Sequence, residues 1–338
     1  MSLVSIVVPV YHNAASLADL LHELQAVAAR NPEDSFEFIC VDDGSRDDSF
    51  AVLQALGRDE PRLRIVRLSR NFGSVAAVMA GLSLARGDCV ADISADLQDP
   101  PALLHDMLAQ WRAGSKLVLA ARRGRDDPFP TSLLSDAFYA LFRRFAIASM
   151  PRRGFDFWLI DRQLADLINS IQESNAYLSG LLLWLGFEPT VLYFDRQARP
   201  KKYGQSMWTL RKKIKYFIDS FVAFSHFPVR LATTLGMLFS LLGLAYAAFI
   251  VYRQLALGID VAGWSSLMVV ALLAAGVQLL ILGVLGEYLW RNLDETRRRP
   301  RFIIDQVIES ADNAQTPSPP MSQGEGSSGW RQTQERTT

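Results

Sequence analysis

The sequence predicts an α/β fold with a mostly parallel sheet and helices on both faces, followed by two transmembrane helices. Through residue 121, apolar strand-like runs alternate with helical patterns, which is typical of such a sheet. Further along, residues 231–252 and 265–286 carry no charge. Each run reaches the roughly 20 residues that a membrane-spanning helix needs. Basic and acidic residues balance at 35 each, so no global field favours nucleic acid.

The predicted strands are continuous apolar runs, as expected for strands buried on both faces. Residues 5–11 form the first, and the others are placed at 36–41, 64–68, within 87–93 and at 116–121. Helices are predicted between them, at 15–29, before residue 64, at 74–85 and at 101–114.

The stretch 87–101 is an apolar strand that ends in polar residues and leads into a helix at Pro100 and Pro101. Open α/β sheets bind ligands at the carboxyl ends of their strands. Asp96 and Gln98 are spaced i, i+2, and two such oxygen donors can share Mg²⁺ or Mn²⁺. A helix N-cap with a solvated turn is the alternative.

Polar motifs also follow the second and third predicted strands. Asp42-Asp43-Gly44-Ser45 comes after one, and Arg70-Asn71 comes after the other. A carboxylate of the first motif could accept hydrogen bonds from a nucleobase or ribose. An Asx-turn with an N-cap explains the same pattern equally well.

Taken in order, these motifs resemble family 2 glycosyltransferases, in the branch that loads sugars onto polyprenyl phosphate. Dolichol-phosphate mannose synthases and bacterial undecaprenyl-phosphate glycosyltransferases belong to that branch. The likeness runs from about Val4 to about Asp305 and implies a GT-A-type (Rossmann-like) fold. Ser94 stands where the family usually has the first Asp of its D-x-D. The resemblance implies nucleotide-sugar contacts at Pro9, Tyr11, Asp42, Asp43, Arg70, Asn71 and Ser94.

On the same resemblance, Asp96 and Asp156 are the catalytic residues, and Asp96 with Gln98 holds the metal. Asp156 lies in a Gly-Phe-Asp-Phe-Trp segment where Trp158 replaces the usual arginine. A structural turn aspartate is the alternative for Asp156. Arg122 opens an arginine-rich segment that could hold phosphate by forked hydrogen bonds, and a solvated basic loop is its alternative.

The segment 199–208 resembles the family's basic loop before the membrane. Its predicted acceptor-phosphate ligands are Arg199, Lys201, Lys202 and Ser206, whose side chains and backbone N–H groups can wrap phosphate oxygens. Met207 stands where a lysine is common. A flexible basic linker is the alternative.

The predicted domain organisation places the catalytic domain in the cytoplasm. Basic clusters at 211–215 and 297–301 flank the apolar hairpin, and the positive-inside rule puts both on the cytoplasmic side of a multi-pass inner (plasma) membrane protein. The predicted boundaries are a cytoplasmic GT-A domain at 1–209, an interfacial helix at 210–229, two transmembrane helices at 230–290, a cytoplasmic C-terminal segment at 291–310 and a disordered tail at 311–338.

The predicted function is inverting, metal-assisted transfer from a nucleotide sugar to polyprenyl phosphate, undecaprenyl phosphate if the source is bacterial. Cell-envelope glycan or glycolipid modification is the expected purpose, and the resemblance implies a homo-oligomer, a tetramer. The alternative is a degenerate, non-catalytic transferase that binds lipid or assists assembly, which Asn13, Ser94, Trp158 and Met207 favour. Two spans are too few for the translocation channel of a processive polysaccharide synthase.

Overall fold

A computed structural model describes residues 1–123, 139–171, 177–195, 227–257 and 263–309. The strands of these residues form one eight-stranded sheet. They are β1 (Leu3–Val10), β2 (Ser35–Asp42), β3 (Leu63–Leu68), β4 (Cys89–Asp92), β5 (Leu117–Arg122), β6 (Phe155–Asp161), β7 (Thr190–Phe194) and β8 (Ile304–Ile308). Across the sheet their order is β7-β5-β6-β4-β1-β2-β3-β8.

Helices cover both faces of this sheet, as predicted. They are α1 (Leu17–Arg30), α2 (Ser49–Asp59), α3 (Ser74–Leu84), α4 (Leu103–Arg112), α5 (Arg162–Ser170) and α6 (Leu178–Trp184), and two long helices follow, α7 (Phe227–Leu257) and α8 (Trp264–Thr296). One core lies under α1, α2 and α4. The second lies under α3, α5 and α6.

Each helix packs through the stripe that its sequence provides. In α1, Leu17, Leu20, Leu21 and Leu24 are buried, and this spacing puts them on one helical face. Helix α3 is apolar except at Ser74, Gly81 and Ser83, and it packs against β1 and β2. A Cβ at Gly81 would come 2.4 Å from Val7 Cγ1, so this close approach requires glycine.

The four N-terminal strands are parallel and end at one rim. Strand β1 pairs with β2 and β4, and β2 pairs with β3. The register places Val10 opposite Asp42, and Asp42 opposite Arg67. The polar motifs that follow these strands therefore meet at the carboxyl edge of the sheet, as the sequence predicts.

Two strands run against this direction. Strand β6 is antiparallel to both β4 and β5, and β8 is antiparallel to β3 at the sheet edge. Strand β6 is not among the predicted strands, and an apolar run buried on both faces does not reveal its direction. Within β6, Trp158 is almost fully buried opposite Asp92 and Leu119 and packs in the second core.

Helices α7 and α8 are long and apolar enough to cross a membrane. The candidate spans are Val229–Arg253 and Leu267–Thr296, with mean hydropathies of 2.1 and 2.6, and their most apolar windows bury no residue inside the protein. The two helices pack against each other. Within the predicted membrane section, the connecting residues 258–262 lie outside the described residues.

Other predicted segments also fall outside the described part of the chain. These are most of the interfacial helix, at 210–226, and the tail at 311–338. The predicted C-terminal segment, by contrast, is described through residue 309 and contains β8, which the sequence reading did not predict.

Candidate active site

The end of β4 carries a compact group of carboxylates around one hydroxyl. Ser94 Oγ lies 2.9 Å from Asp96 Oδ1 and 2.7 Å from Asp99 Oδ2. Asp96 Oδ1 also accepts the backbone N–H of Gln98 at 3.2 Å. Since a hydroxyl has a single proton, Ser94 donates to one carboxylate at a time. The cluster therefore retains negative charge, which a cation could neutralise and to which a ligand's hydrogen-bond donors could bind.

A strained backbone supports this turn. Leu97 has φ of 57°, in the left-handed region that costs a residue with a Cβ about 1–2 kcal/mol. The conformation turns the Gln98 N–H onto Asp96. Strain of this kind collects at functional sites, which supports a functional role for the 96–98 turn.

Asp92 adds a buried carboxylate behind this turn. It is 9% exposed, and its Oδ1 has no hydrogen-bond partner within the described residues. Burial raises the pKa of Asp92 well above its usual value, and the charges of Asp99 and Asp156 raise it further. Acidic groups thus converge on this end of the sheet from β4 and β6.

The carboxylate-rich rim fits a hard cation by its chemistry, because oxygen donors suit Mg²⁺ and Mn²⁺. Across the described ranges, however, no group of three or more His, Cys, Asp or Glu is arranged to hold a metal ion. Asp96 and Gln98 are adjacent at the rim, and their joint role as metal ligands stays a prediction.

Arg122 and Asp156 form an ion pair beside the carboxylates. They lie near the ends of the neighbouring strands β5 and β6, and the Arg122 guanidinium donates to Asp156 Oδ2. The Arg122 side chain is 7% exposed, whereas that of Asp156 is 62% exposed. Arg122 is thus fixed in place, and Asp156 presents its carboxylate to solvent at the rim.

A cavity of about 610 Å³ opens at the other part of the rim, beyond the ends of β1, β2 and β3. Tyr11 and His12 form one side, with ring centroids 4.4 Å apart. The remaining lining residues are Gly44, Ser45, Arg46, Arg67, Leu68, Ser69, Arg70, Asn71 and Asp305. Aromatic rings, guanidinium groups and polar backbone suit a flat, polar ligand.

Two loops under this cavity are held together by Asp43. Its carboxylate accepts the backbone N–H groups of Phe72 at 2.7 Å and Gly73 at 2.9 Å. Burial raises the Asp43 pKa, and these two hydrogen bonds oppose the rise. Gly44, at φ +64°, approaches so closely that a Cβ would lie 2.6 Å from the Arg70 carbonyl carbon. Asp43 and Gly44 therefore shape the cavity floor.

Asp42 lies beneath the same cavity and is fully buried. Its Oδ1 accepts the Ser45 backbone N–H at 3.2 Å, and its Oδ2 is 3.6 Å from Arg67 Nε. The Arg67 guanidinium also lies 4.3 Å from the centre of the Phe50 ring. Asp42 thus positions Arg67 at the cavity wall.

The predicted donor-binding residues divide between the cavity and its surroundings. Tyr11, Arg70 and Asn71 line the cavity, whereas Asp42 and Asp43 support it from below. Two others lie elsewhere on the chain, namely Pro9 within β1 and Ser94 in the carboxylate cluster. The acceptor-side residues Arg199, Lys201, Lys202 and Ser206 lie outside the described residues.

Among the ionisable side chains that line the cavity, sequence reasoning missed four, which are His12, Arg46, Arg67 and Asp305. His12 gives a signal, because it lies two residues after the end of β1, but a histidine in a solvated loop explains the same position. Asp305 gave none, because its strand pairs with a partner that is distant in sequence.

Comparisons with known proteins agree with this architecture. The model of the family "Glycosyl transferase family 2" matches residues 5–169. An uncharacterized glycosyltransferase of Synechocystis sp. is 38% identical over 90% of this chain and 95% of its own length. A bactoprenol glucosyl transferase of Shigella phage SfV is 31% identical, over 89% of this chain and 97% of its own.

Among solved structures, mannosyl-3-phosphoglycerate synthase from Rubrobacter xylanophilus is similar with a TM-score of 0.46 and 21% identity. The match covers 64% of this chain and 71% of that one.

Proposed function

The chain belongs to glycosyl transferase family 2, and from that premise we propose that it transfers a sugar from a nucleotide sugar to a polyprenyl phosphate. The main support for this proposal is that one chain contains both a glycosyltransferase site and helices that can span a membrane. A glycosyltransferase rim lies on the same chain as two apolar helices whose side chains face outward. An enzyme built this way can meet a lipid acceptor at the membrane. Relatives named bactoprenol glucosyl transferases, similar along most of the chain, support a lipid acceptor.

The donor would lie across the rim, with its nucleoside in the cavity and its sugar beside the carboxylates. An oxygen of the lipid phosphate attacks the sugar C1, and the bond from C1 to the donor's diphosphate breaks. A phosphate monoester has a second pKa of about 6, so the acceptor is largely dianionic at neutral pH. A strong general base is therefore not needed, and Asp156, held by Arg122, orients the reacting groups.

Asp96 and Gln98 are the residues that would hold a divalent cation. Such a cation, when bound, neutralises charge that develops on the leaving diphosphate. The chain's own part is to fix Asp96 through the Ser94 hydroxyl and the Gln98 N–H. Arg122, on β5, lies across β6 from the carboxylates of β4, and its proposed role is to bind a phosphate oxygen at the rim.

The proposed topology has the catalytic rim and β8 on the cytoplasmic side of the inner membrane, with α7 and α8 spanning it. In intact cells, we expect Val261→Cys to react with an impermeant thiol reagent and Ser310→Cys to react only after permeabilisation. Background labelling is expected to be low, because Cys40 and Cys89 are buried and burial raises the pKa of Cys40 to about 12. The opposite labelling pattern would refute a cytoplasmic active site.

The loop 199–206 is proposed to bind the acceptor phosphate. Arg199→Ala is expected to weaken that binding by about 1.5–3 kcal/mol, the net worth of a hydrogen bond to a charged group. The apparent KM for polyprenyl phosphate should then rise roughly tenfold or more, while the KM for the nucleotide sugar changes much less.

Substrate titrations of Arg199→Ala and of the double variant Lys201→Ala/Lys202→Ala measure this difference. Arg58→Ala, at the end of α2, is the matched control, since it removes an arginine away from the rim. A rise in the donor KM alone would move the loop to the donor pocket and overturn the assignment.

A further inference from the structure

The wall of the cavity is completed by the strand that follows the apolar hairpin. Strand β8 pairs antiparallel with β3, with Ile304 opposite Leu68, and Ser69 donates its N–H to the Ile303 carbonyl at 3.0 Å. The start of β8 therefore lies where β3 ends, at the carboxyl rim. Asp305, the next residue, lines the cavity with Arg67 and Arg70.

Asp305 is the carboxylate that this cavity offers to a ligand. It is the one acidic residue among the lining residues that the structure describes. It is exposed, and no hydrogen bond or ion pair joins its side chain to the residues that the structure describes. Asp42 and Asp43, by contrast, are buried, and three of their four oxygens accept backbone N–H groups. The fourth, Asp42 Oδ2, has no hydrogen-bond partner within the described residues and lies 3.6 Å from Arg67 Nε.

The position of Asp305 on the sheet indicates which end of a donor it meets. Strand β8 is four positions from β4 in the sheet order. Neighbouring strands lie about 4.8 Å apart, so roughly 19 Å separates β8 from the carboxylate cluster. With the sugar and diphosphate at that cluster, the far end of the rim receives the nucleobase.

The arginines beside Asp305 are arranged as flat surfaces. The guanidinium of Arg70 lies 4.0 Å from the centre of the Phe72 ring, and that of Arg67 lies over the Phe50 ring. Planar guanidinium groups stack on aromatic systems, which nucleobases also are. A base held between such surfaces would direct its hydrogen-bonding edge at a nearby side chain.

We propose that Asp305 selects the donor's base by accepting a hydrogen bond from a ring N–H, as uracil, thymine and guanine provide. This inference rests on the proposed function. A carboxylate is an acceptor only, so at this position it repels the corresponding ring nitrogen of cytosine or adenine, which carries a lone pair. A site built to accept such a hydrogen bond discriminates strongly against ligands that cannot donate it.

Equilibrium binding of UDP, GDP, CDP and ADP to the full chain in detergent, with Mg²⁺ present, tests the proposal. The wild type should bind UDP or GDP at least about tenfold more tightly than both CDP and ADP. In Asp305→Ala and Asp305→Asn this preference should fall to within about threefold. Gln306→Ala, on the same strand but outside the cavity lining, should retain it.

Base-methylated probes make the test independent of whether the variants fold. N3-methyl-UDP or N1-methyl-GDP should bind the wild type about tenfold more weakly than its parent. An unchanged preference in Asp305→Ala, or equal binding of the methylated and parent nucleotides to the wild type, would overturn the role of Asp305. Binding without base preference refutes this inference alone, whereas no binding of any nucleoside diphosphate also refutes the proposed donor site.

Discussion

Asp96→Asn is expected to lower the turnover number by at least about 10²-fold, the scale of losing one strong electrostatic group in an active site. Asparagine keeps the shape of the side chain and can still accept the Ser94 and Gln98 hydrogen bonds that hold Asp96. What it removes is the negative charge that would bind a cation. A lower turnover number would therefore result from the lost negative charge and not from a change in the structure of the 96–98 turn.

Initial rates at saturating donor and acceptor measure this effect. Asp106→Asn is the matched control and should keep normal turnover, because Asp106 is an exposed carboxylate on α4 that has no hydrogen bond or ion pair with the described rim residues. Full activity of Asp96→Asn, or undiminished wild-type activity in excess chelator, would refute the metal role of Asp96.

Glu37→Ala is expected to destabilise the protein by about 3–5 kcal/mol, the range for removing one partner of a buried ion pair. Glu37 accepts hydrogen bonds from Ser5 Oγ at 2.5 Å and the Arg86 backbone N–H at 2.6 Å. Its other oxygen lies 3.7 Å from Arg64, whose side chain is 4% exposed. Burial lowers the pKa of Arg64, while the charges of Glu37 and Glu309 oppose that shift. Without Glu37, these buried donors lose their acceptor.

Chemical unfolding of the full chain, followed by far-UV circular dichroism, checks the loss. The control is Asp166→Ala, which removes the exposed partner of the Arg162–Asp166 surface pair and should cost at most about 0.5 kcal/mol. Equal unfolding midpoints for Glu37→Ala and Asp166→Ala would contradict the structural role of the buried network.

The same network joins the C-terminal strand to the catalytic domain. Glu309, directly after β8, lies 3.0 Å from Arg64 Nε and 3.2 Å from Arg86 Nη2. Phe302 and Ile304 pack on the core beneath α3 and α5. The catalytic sheet is therefore completed by residues that come after both apolar helices.

The sequence was most informative where burial imposes a continuous apolar pattern. Strands β1 to β5 and the two long helices all show patterns of this kind, and the structure contains each of them. The predicted polar motifs follow the ends of β2, β3 and β4. Strand β8 could not be predicted, because Asp305, Gln306 and Val307 are exposed and lack the apolar run of a buried strand. Only the fold brings β8 to the edge strand β3.

The direction of individual side chains could not be predicted from the sequence either. A D-D-G-S motif is compatible with ligand binding and with a supporting turn, and its spacing does not distinguish them. The structure turns Asp43 onto the backbone of Phe72 and Gly73, which favours the supporting role. The sequence likewise does not show where Trp158, which replaces the family's usual arginine, directs its ring, and the structure places that ring in the core beneath α3 and α5.

The central claim is that the lipid phosphate is the group that receives the sugar. Purified full-length protein is incubated with polyprenyl phosphate, the matched polyprenol and a mixture of nucleotide sugars, and the lipids are analysed by mass spectrometry. The account predicts a new glycosyl polyprenyl phosphate, with release of one nucleoside diphosphate and no glycosylated polyprenol. Sugar on the polyprenol, or donor hydrolysis without any lipid product, would contradict it.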